Sequence, residues 1–358
     1  MPNGGHSASA VLSLPAEMPR PADAASRRPS VSIIISNFNY GRFLGEAIDS
    51  ALAQTWPHTE VIVVDDGSTD DSRRVIESRG NKVRTIFKEN GGQASAFNVG
   101  FQASTGDMVL FLDSDDALEP TAIETVVREW RESTVRMLFP LKATDKSGTP
   151  LGRMVGGTAL PSPLLGSFGV GSPTSGNVFA RSALERIMPI PESVWKGCPD
   201  FYLAAVGLFG RVERLRPALA KYRLHGRNNQ ASADPLAVVR KRLHLDLELY
   251  DVLFRLTDGK IAPLEDWIGG CPQHWVRRII SLRKDPQSHA WPDRLWDLTL
   301  RAIKATWRQP DRNFRRRLAY SVFVVGYSTL PRKTIGALEQ TDAGERGRLF
   351  TSLLGARS

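Results

Sequence analysis

Short apolar runs alternate with helical stretches from Val31 to residue 139, and this alternation limits the fold more than any other feature. Each run is apolar on both faces, as expected for strands of a parallel sheet covered by helices on its two sides. Strands and helices that alternate in this way build right-handed βαβ units. The predicted fold class is therefore α/β, with a mostly parallel sheet flanked by helices. Strands are expected over 31–35, 60–64, 83–87, 108–112 and 135–139, and helices over 43–55, over 93–103 and from about Pro120.

Composition divides the chain into three predicted parts. Residues 1–29 are rich in Ala, Pro and Ser and lack the basic and apolar regions of a secretory signal, so we expect a disordered leader. Residues 30–230 hold the α/β domain, and residues 231–358 form a helical C-terminal region. That region contains 22 Lys+Arg against 14 Asp+Glu, which is +8 of the formal net charge of +9. The excess suits nucleic acid, an anionic membrane, an acidic substrate or simply a solvated helix face.

Several function classes lose support from what the sequence lacks. The two cysteines, Cys198 and Cys271, form no disulfide framework and fit a cytoplasmic protein. No run of about 20 apolar residues predicts a spanning helix. Neither a G-x-G-x-x-G nor a P-loop motif follows the first strand, so dinucleotide and P-loop sites are not indicated.

Acidic residues end two of the predicted strands. Asp65 and Asp66 follow the second strand, and Asp113 and Asp115 follow the fourth, separated by one residue so that both point to one side. Parallel sheets bind ligands at the carboxyl ends of their strands. Adjacent acids repel each other unless a cation or ligand relieves them, and hard divalent cations prefer oxygen ligands. The next acid, Asp116, is expected to cap the helix near Pro120.

The segment ENGGQASAFNVGF places Asn90 and Gly92 at a helix start and Asn98 further along that helix. The glycines either form an ordinary turn or expose backbone N–H groups that meet phosphate or sugar hydroxyls.

Together, VSIIISNFN, VIVVDDGSTD, NGGQASAFNVG and GDMVLFLDSDD resemble the family 2 glycosyltransferases over roughly residues 30–230. This resemblance implies the GT-A fold, which is a Rossmann-like α/β fold. It also implies an inverting transfer of a sugar from a nucleotide donor, often linked to uridine diphosphate, with Mn²⁺ or Mg²⁺. A glycan or lipid-linked acceptor in cell-surface polysaccharide or glycolipid synthesis is expected.

The resemblance also implies roles for individual residues. The implied metal ligands are Asp115 and His225, the latter in YRLHGRNNQ, and the implied general base is Asp200 in KGCPDFYL. Pro199 stands where the family usually has a second acid, so Glu192 and Glu185 remain alternatives for the base. The expected nucleotide-binding residues are Ser36, Phe38, Asn39, Asp65, Asp66, Asn90, Gly92, Asn98, Asp113 and Ser114.

The C-terminal segment 312–333 carries about a dozen apolar residues between basic clusters. It either lies on an anionic leaflet at the inner face of the plasma membrane or forms a buried helix with a basic start. Five tryptophans of the same region are either core or sugar-stacking surfaces. They are Trp267, Trp275, Trp291, Trp296 and Trp307.

Two other functions are compatible with parts of the pattern, and a third loses support. A phosphohydrolase would use Asp113 as its nucleophile, and a catalytically silent protein would only bind nucleotide or glycan. A nucleic-acid binder is not expected, because the basic region lacks a recognition motif.

Overall fold

The computed structural model describes residues 28–156, 172–226, 235–308 and 314–331. Eleven strands lie within them. These are β1 (Val31–Asn37), β2 (Thr59–Asp65), β3 (Arg84–Phe87), β4 (Met108–Asp113), β5 (Ala117–Leu118), β6 (Thr134–Leu138), β7 (Leu141–Thr144), β8 (Pro150–Val155), β9 (Asn177–Ala180), β10 (Arg211–Arg214) and β11 (Ala220–Arg223).

A seven-stranded sheet, in the order β10-β6-β9-β4-β1-β2-β3, is the centre of the fold. β1 is completely buried and pairs in parallel with β2 on one side and β4 on the other. All five strands predicted from the sequence are present, and the α/β class with a mostly parallel sheet is confirmed. Two strands of this sheet were not predicted, β9 and β10. β9 runs antiparallel between β4 and β6, so the last predicted strand does not pair directly with β4. β10 pairs in parallel with β6 at the edge of the sheet.

Helices cover both faces of this sheet. They are α1 (Gly41–Leu52), α2 (Ser72–Glu77), α3 (Gln93–Ala103), α4 (Ala122–Glu129), α5 (Arg181–Leu184), α6 (Glu192–Trp195), α7 (Pro199–Leu203), α8 (Pro235–Leu256), α9 (Leu264–Gly269), α10 (Pro272–Lys284), α11 (Leu295–Arg308) and α12 (Phe314–Thr329).

The two faces of the sheet belong to two hydrophobic cores, because successive strand side chains point to opposite faces. Ile33 and Ile35 of β1 pack with α1, α2 and α4 on one face. Ile34 packs on the other face with α3, where Phe97 stacks on Phe111 of β4 at 4.3 Å between ring centroids. The second core continues without a break into α8–α12. The predicted helical C-terminal region is thus present and shares its core with the sheet.

A second sheet, in the order β5-β11-β7-β8, stands beside the first. β7 and β8 form a hairpin. Its turn is closed by Asp145, whose side chain accepts from the Ser147 and Thr149 backbone N–H groups. β11 runs parallel to β7 and antiparallel to β5, the two-residue strand that follows the acids of β4. This pairing brings residues beyond 220 next to the carboxyl end of β4.

The tryptophans of the C-terminal region divide between core and surface. Trp267 and Trp275 are buried, as expected for core residues, whereas Trp296 and Trp307 are exposed. Within the described residues, no helix is long and apolar enough to cross a membrane. The predicted leader lies outside those residues except for its last two positions.

A glycine sets the distance between α3 and the sheet. A Cβ added at Gly100 would lie 2.3 Å from Cγ2 of Ile34 and 3.2 Å from Cγ2 of Val64. We expect Gly100→Ala to lower the free energy of unfolding by about 1–3 kcal/mol, the usual cost of overpacking a core. Urea denaturation measures it.

Gly326→Ala is the matched control, since its Cβ would meet only Leu330 Cδ1 at 3.8 Å. Alanine in that helix is expected to be neutral or to stabilise by up to about 1 kcal/mol. Equal losses at both positions would show that close packing at Gly100 is not the cause.

Candidate functional site

The two acidic strand ends lie at the same edge of the central sheet, on either side of β1. Asn37 is in register with Asp65, and Ser36 is in register with Asp113. The residues that follow each strand therefore face one region above the carboxyl end of β1. This arrangement follows directly from the parallel pairing of β1 with both β2 and β4.

Asp65 organises the loop that follows β2. Its side chain is buried and accepts from the Ser68 backbone N–H at 2.9 Å and from Asn37 Nδ2 at 2.8 Å. Ser68 Oγ in turn accepts from the backbone N–H of Asn39, which has a φ of 59°. Asparagine is one of the few residues that readily adopts this left-handed conformation. Phe38, just before it, is 45% exposed at the site.

Asp66 caps the start of α3. Its Oδ1 accepts from the Gly91 backbone N–H at 2.9 Å and from Lys88 Nζ at 2.6 Å, and its Oδ2 accepts from the Gly92 N–H at 2.7 Å. Asn90 Nδ2 donates to the Asp66 carbonyl at 3.0 Å. The NGG segment thus contacts the acidic end of β2 through its backbone N–H groups.

Gln93, the first residue of α3, connects the two acidic strand ends. Its Nε2 donates to Oδ1 of Asp113 at 2.8 Å, one residue after the glycine that binds Asp66. Asn98, further along α3, bonds to the backbone of Ile190 in both directions and to Glu192 Oε1. Its amide therefore holds the segment that leads to α6 and α7. A nucleotide contact for Asn98 stays a prediction.

Three carboxylates crowd the end of β4. Asp113, Asp115 and Asp116 each offer an oxygen, and these oxygens lie within 4.8 Å of one another. Burial raises the pKa of Asp113 well above its usual value, and the charges of Asp115 and Asp200 raise it further. Burial also raises the pKa of Asp116, with added repulsion from Asp115 and Asp113. Ser114, between them, is buried.

Asp116 was expected to cap a helix, and that expectation is wrong. Its Oδ2 accepts from Ser175 Oγ at 2.6 Å and its Oδ1 accepts from the Arg223 backbone N–H at 3.1 Å. Ser175 also accepts from the Asp113 N–H at 3.1 Å. Asp116 is therefore a member of the acidic cluster, and the third acid in DSDD was the signal for it.

His225 lies against the same cluster. Its Nε2 is 2.8 Å from Oδ2 of Asp115, and its side chain is only 1% exposed. The rings of Tyr40 and Phe43, from the start of α1, hold the imidazole at centroid distances of 5.3 and 5.0 Å. The antiparallel pairing of β11 with β5 accounts for this meeting, because β5 begins directly after Asp116.

These residues fit a divalent cation. Adjacent ligands of an octahedral ion at about 2.1 Å are about 3 Å apart, close to the separation of Asp115 Oδ2 and His225 Nε2. Carboxylates suit Mg²⁺ and Mn²⁺, whereas an imidazole ligand favours a transition metal.

Asp200 lies in the first turn of α7. Its negative charge helps to raise the pKa of Asp113 in the acidic cluster. The alternatives for the base, Glu185 and Glu192, are both exposed, and Glu192 accepts from Asn98. Beside Asp200, the ring of Phe201 lies 3.8 Å below the guanidinium of Arg242 from α8. No motif in the sequence pointed to Arg242.

Comparison with known proteins assigns this geometry to a family. A model described as glycosyl transferase family 2 matches residues 32–154. An uncharacterized glycosyltransferase of Nostoc sp. is 38% identical over 219 residues, which are 57% of this chain and 67% of the Nostoc protein. The chain belongs to glycosyltransferase family 2.

Other relatives match a smaller part of the chain. An uncharacterized glycosyltransferase of Rickettsia prowazekii is 46% identical over 96 residues, 27% of this chain and 30% of the Rickettsia protein. Among solved structures, S. aureus TarS 1–349 in complex with UDP-GlcNAc is 18% identical with a TM-score of 0.49, over 84% of this chain and 90% of that one. Family membership identifies the chain as a transferase, in preference to the phosphohydrolase or silent binding protein considered above.

The acidic cluster predicts how stability depends on pH in the metal-free enzyme. A carboxyl whose pKa is raised holds its proton more tightly in the folded state. This tighter proton binding stabilises the fold at low pH. The stabilisation is lost as pH rises from the ordinary pKa of 3.8 through the raised pKa of the folded state. We expect Asp116→Asn to remove part of this loss, so that the free energy of unfolding falls less steeply with pH than in the wild type.

Urea denaturation in EDTA at pH 5, 6, 7 and 8 measures the two slopes. Asp251→Asn, an exposed carboxyl of α8, is the control and should keep the wild-type slope. Parallel wild-type and Asp116→Asn curves would contradict the prediction.

Proposed function

We propose that this glycosyltransferase moves a sugar from a nucleoside diphosphate donor, uridine diphosphate-linked, to an acceptor hydroxyl with inversion. The observation that carries the proposal is the meeting of Asp115, His225 and the acidic loop of β2 at one edge of the sheet. Such a site holds a nucleoside on one side and a diphosphate beside a cation on the other.

The donor nucleoside would lie between β1 and α3. Phe38 offers an exposed ring on which a base can stack. A carboxylate has about four lone-pair positions, and Asp66 uses three of them within the protein. The remaining position on Oδ2 would accept an N–H from the base. Further nucleoside contacts are assigned to Ser36, Asn39, Asp65, Asn90, Gly92, Asn98, Asp113 and Ser114.

The metal would be held by Asp115 and His225, with Asp113 and Asp116 adding negative charge. Bound there, a divalent cation would neutralise the charge that develops on the departing diphosphate. Tyr40, Phe43 and the β5–β11 pairing fix the imidazole beside Asp115. Preorganised groups of this kind lower the barrier without reorganisation during the reaction.

Asp200 would act as the general base. An inverting single displacement needs one group that removes the proton of the acceptor hydroxyl on the face opposite the leaving group. Asp200 is close enough to the cluster to influence Asp113 electrostatically, yet it comes from a different element, α7. This supports its assignment over Glu185 and Glu192.

The acceptor is proposed to be a glycan or a lipid-linked glycan of cell-surface polysaccharide or glycolipid synthesis. The proposed place of action is the cytoplasmic side of the plasma membrane, with no nucleic-acid partner. The basic C-terminal region and its exposed aromatic side chains support this proposal.

Metal and nucleotide binding should depend on each other. We expect uridine diphosphate with Mn²⁺ to raise the melting temperature of the wild type by several degrees, since ligand binding at about 100 times Kd adds about 2.7 kcal/mol. Each alone should give a small shift, and Asp115→Ala should abolish the joint effect. Guanosine and thymidine diphosphates in the same thermal-shift panel test the base. Equal shifts with and without Mn²⁺ would reject the metal site.

Removal of the base should slow transfer without weakening donor binding. We expect Asp200→Asn to lower the transfer rate by about 10²–10⁴, the usual contribution of general base catalysis, with an unchanged Mn²⁺-dependent nucleotide shift. Hydrolysis or transfer from uridine diphosphate sugars is the assay. Glu185→Gln and Glu192→Gln are matched controls and should remain within about threefold of the wild type. A larger loss in either control than in Asp200→Asn would move the base to that residue.

A further inference from the structure

Exposed apolar side chains are concentrated on the last two helices. Of the eleven large hydrophobic side chains that are exposed in the described residues, seven lie on α11 and α12. Scattered apolar residues on a surface are ordinary, but a contiguous group marks a contact with another molecule or a membrane.

On α12 the exposed residues follow the helical repeat. Phe314, Leu318, Val322 and Val325 lie four, four and three residues apart and form one stripe. A different side of the helix, which includes Tyr320, Val324 and Tyr327, is buried against the protein. α12 therefore has two apolar sides, and only one is needed for the fold. Of the two alternatives from the sequence, the buried helix matches the Tyr320 side of α12, and contact with an anionic leaflet stays a prediction.

The exposed stripe of α11 adjoins that of α12. Trp307 of α11 contacts Phe314 of α12 at 5.6 Å between ring centroids, and at the other end Thr299 Oγ1 donates to Ser328 Oγ at 2.7 Å. The two helices thus run antiparallel side by side. Trp296 and Leu300 extend the exposed apolar face along α11. With 16 residues, α12 gives this face a length of about 24 Å.

Exposed basic side chains accompany this apolar face. Lys304, Arg308 and Arg315 are exposed on the same two helices. Arg301 of α11 is also exposed, and it forms an ion pair with Glu265 at 3.0 Å. Asp297 is the one acid of α11, and α12 has none. A second copy of the same face would bring like charges together, whereas anionic lipid headgroups would neutralise them. Basic side chains around tryptophan and aliphatic residues are typical of helices that lie in the plane of a membrane interface.

We propose that the α11–α12 hairpin is a docking face for an anionic lipid bilayer. The apolar stripes enter the headgroup boundary and the flanking cations bind lipid phosphates. This binding does not rest on the proposed transfer reaction, because none of these residues belongs to the site at the sheet edge. It would hold that site beside acceptors in or on the bilayer.

Flotation with liposomes of phosphatidylcholine alone, or with 30% phosphatidylglycerol, tests the proposal on the full chain. We expect the wild type to float with the anionic liposomes and to be released by 1 M salt. Leu318→Ser with Val322→Ser should lower partitioning at least about tenfold, since each removes an apolar side chain from the interface. Arg308→Ser with Arg315→Ser should lower it about 25-fold, at about fivefold per charge.

Matched controls change equally exposed residues of the catalytic part. Leu151→Ser with Met154→Ser, and Arg128→Ser with Arg131→Ser, should stay within twofold of the wild type. All variants should keep the Mn²⁺-dependent nucleotide shift of the wild type, which reports folding and tests the proposed function separately.

Three results would overturn the proposal. One is no flotation of the wild type, and another is equal flotation of the hairpin variants. The third is a dimer by light scattering that becomes monomeric in Leu318→Ser with Val322→Ser, which would assign the face to a second copy of the chain.

Discussion

Repulsion among carboxylates at the end of β4 is the constraint on which the rest of the site depends. Three acids offer oxygens within 4.8 Å, and burial and mutual repulsion raise the pKa of two of them. Such a cluster destabilises the fold at neutral pH unless protons or a cation compensate. The surrounding structure tolerates it because Ser175, Gln93 and the backbone of Arg223 donate hydrogen bonds to it.

The fold delivers the other parts of the site to this point by simple pairing rules. β1 lies between the two acidic strands, so register alone sets Asp65 and Asp113 on either side of it. α3 begins between them, and its first residues bind both sides. The second sheet adds His225 through the short β5–β11 pairing. Asn98 fixes the segment before α6 and α7, which carries Asp200. Three separate parts of the chain thus supply the groups that we propose for binding the nucleoside, for binding the metal and for the general base.

The C-terminal helices have an inner side and an outer side with different surroundings. Their inner side completes the core that begins under α3, and Arg242 of α8 stacks beside the residue next to Asp200. Their outer side carries the apolar face of α11 and α12. A division into a catalytic domain and a separate helical domain stays a prediction, although the shared core shows that the two are packed together.

The sequence by itself determined the central strands and the acids at their ends. Runs such as VSIII and MVLFL are buried on both faces, and that property is local to each strand. β9 was not predicted because it is only four residues long, follows a Gly- and Pro-rich stretch and shows little periodicity. Its antiparallel direction depends on partner strands far along the chain. The meeting of His225 with Asp115, which are 110 residues apart, was expected only from the family resemblance. The hydrogen bonds of Asp116 with Ser175 and Arg223 and the exposure of Trp296 and Trp307 were decided by tertiary structure alone. Local patterns encode burial and direction within one element, whereas pairing between distant strands and the side that a helix leaves uncovered depend on the whole packed chain.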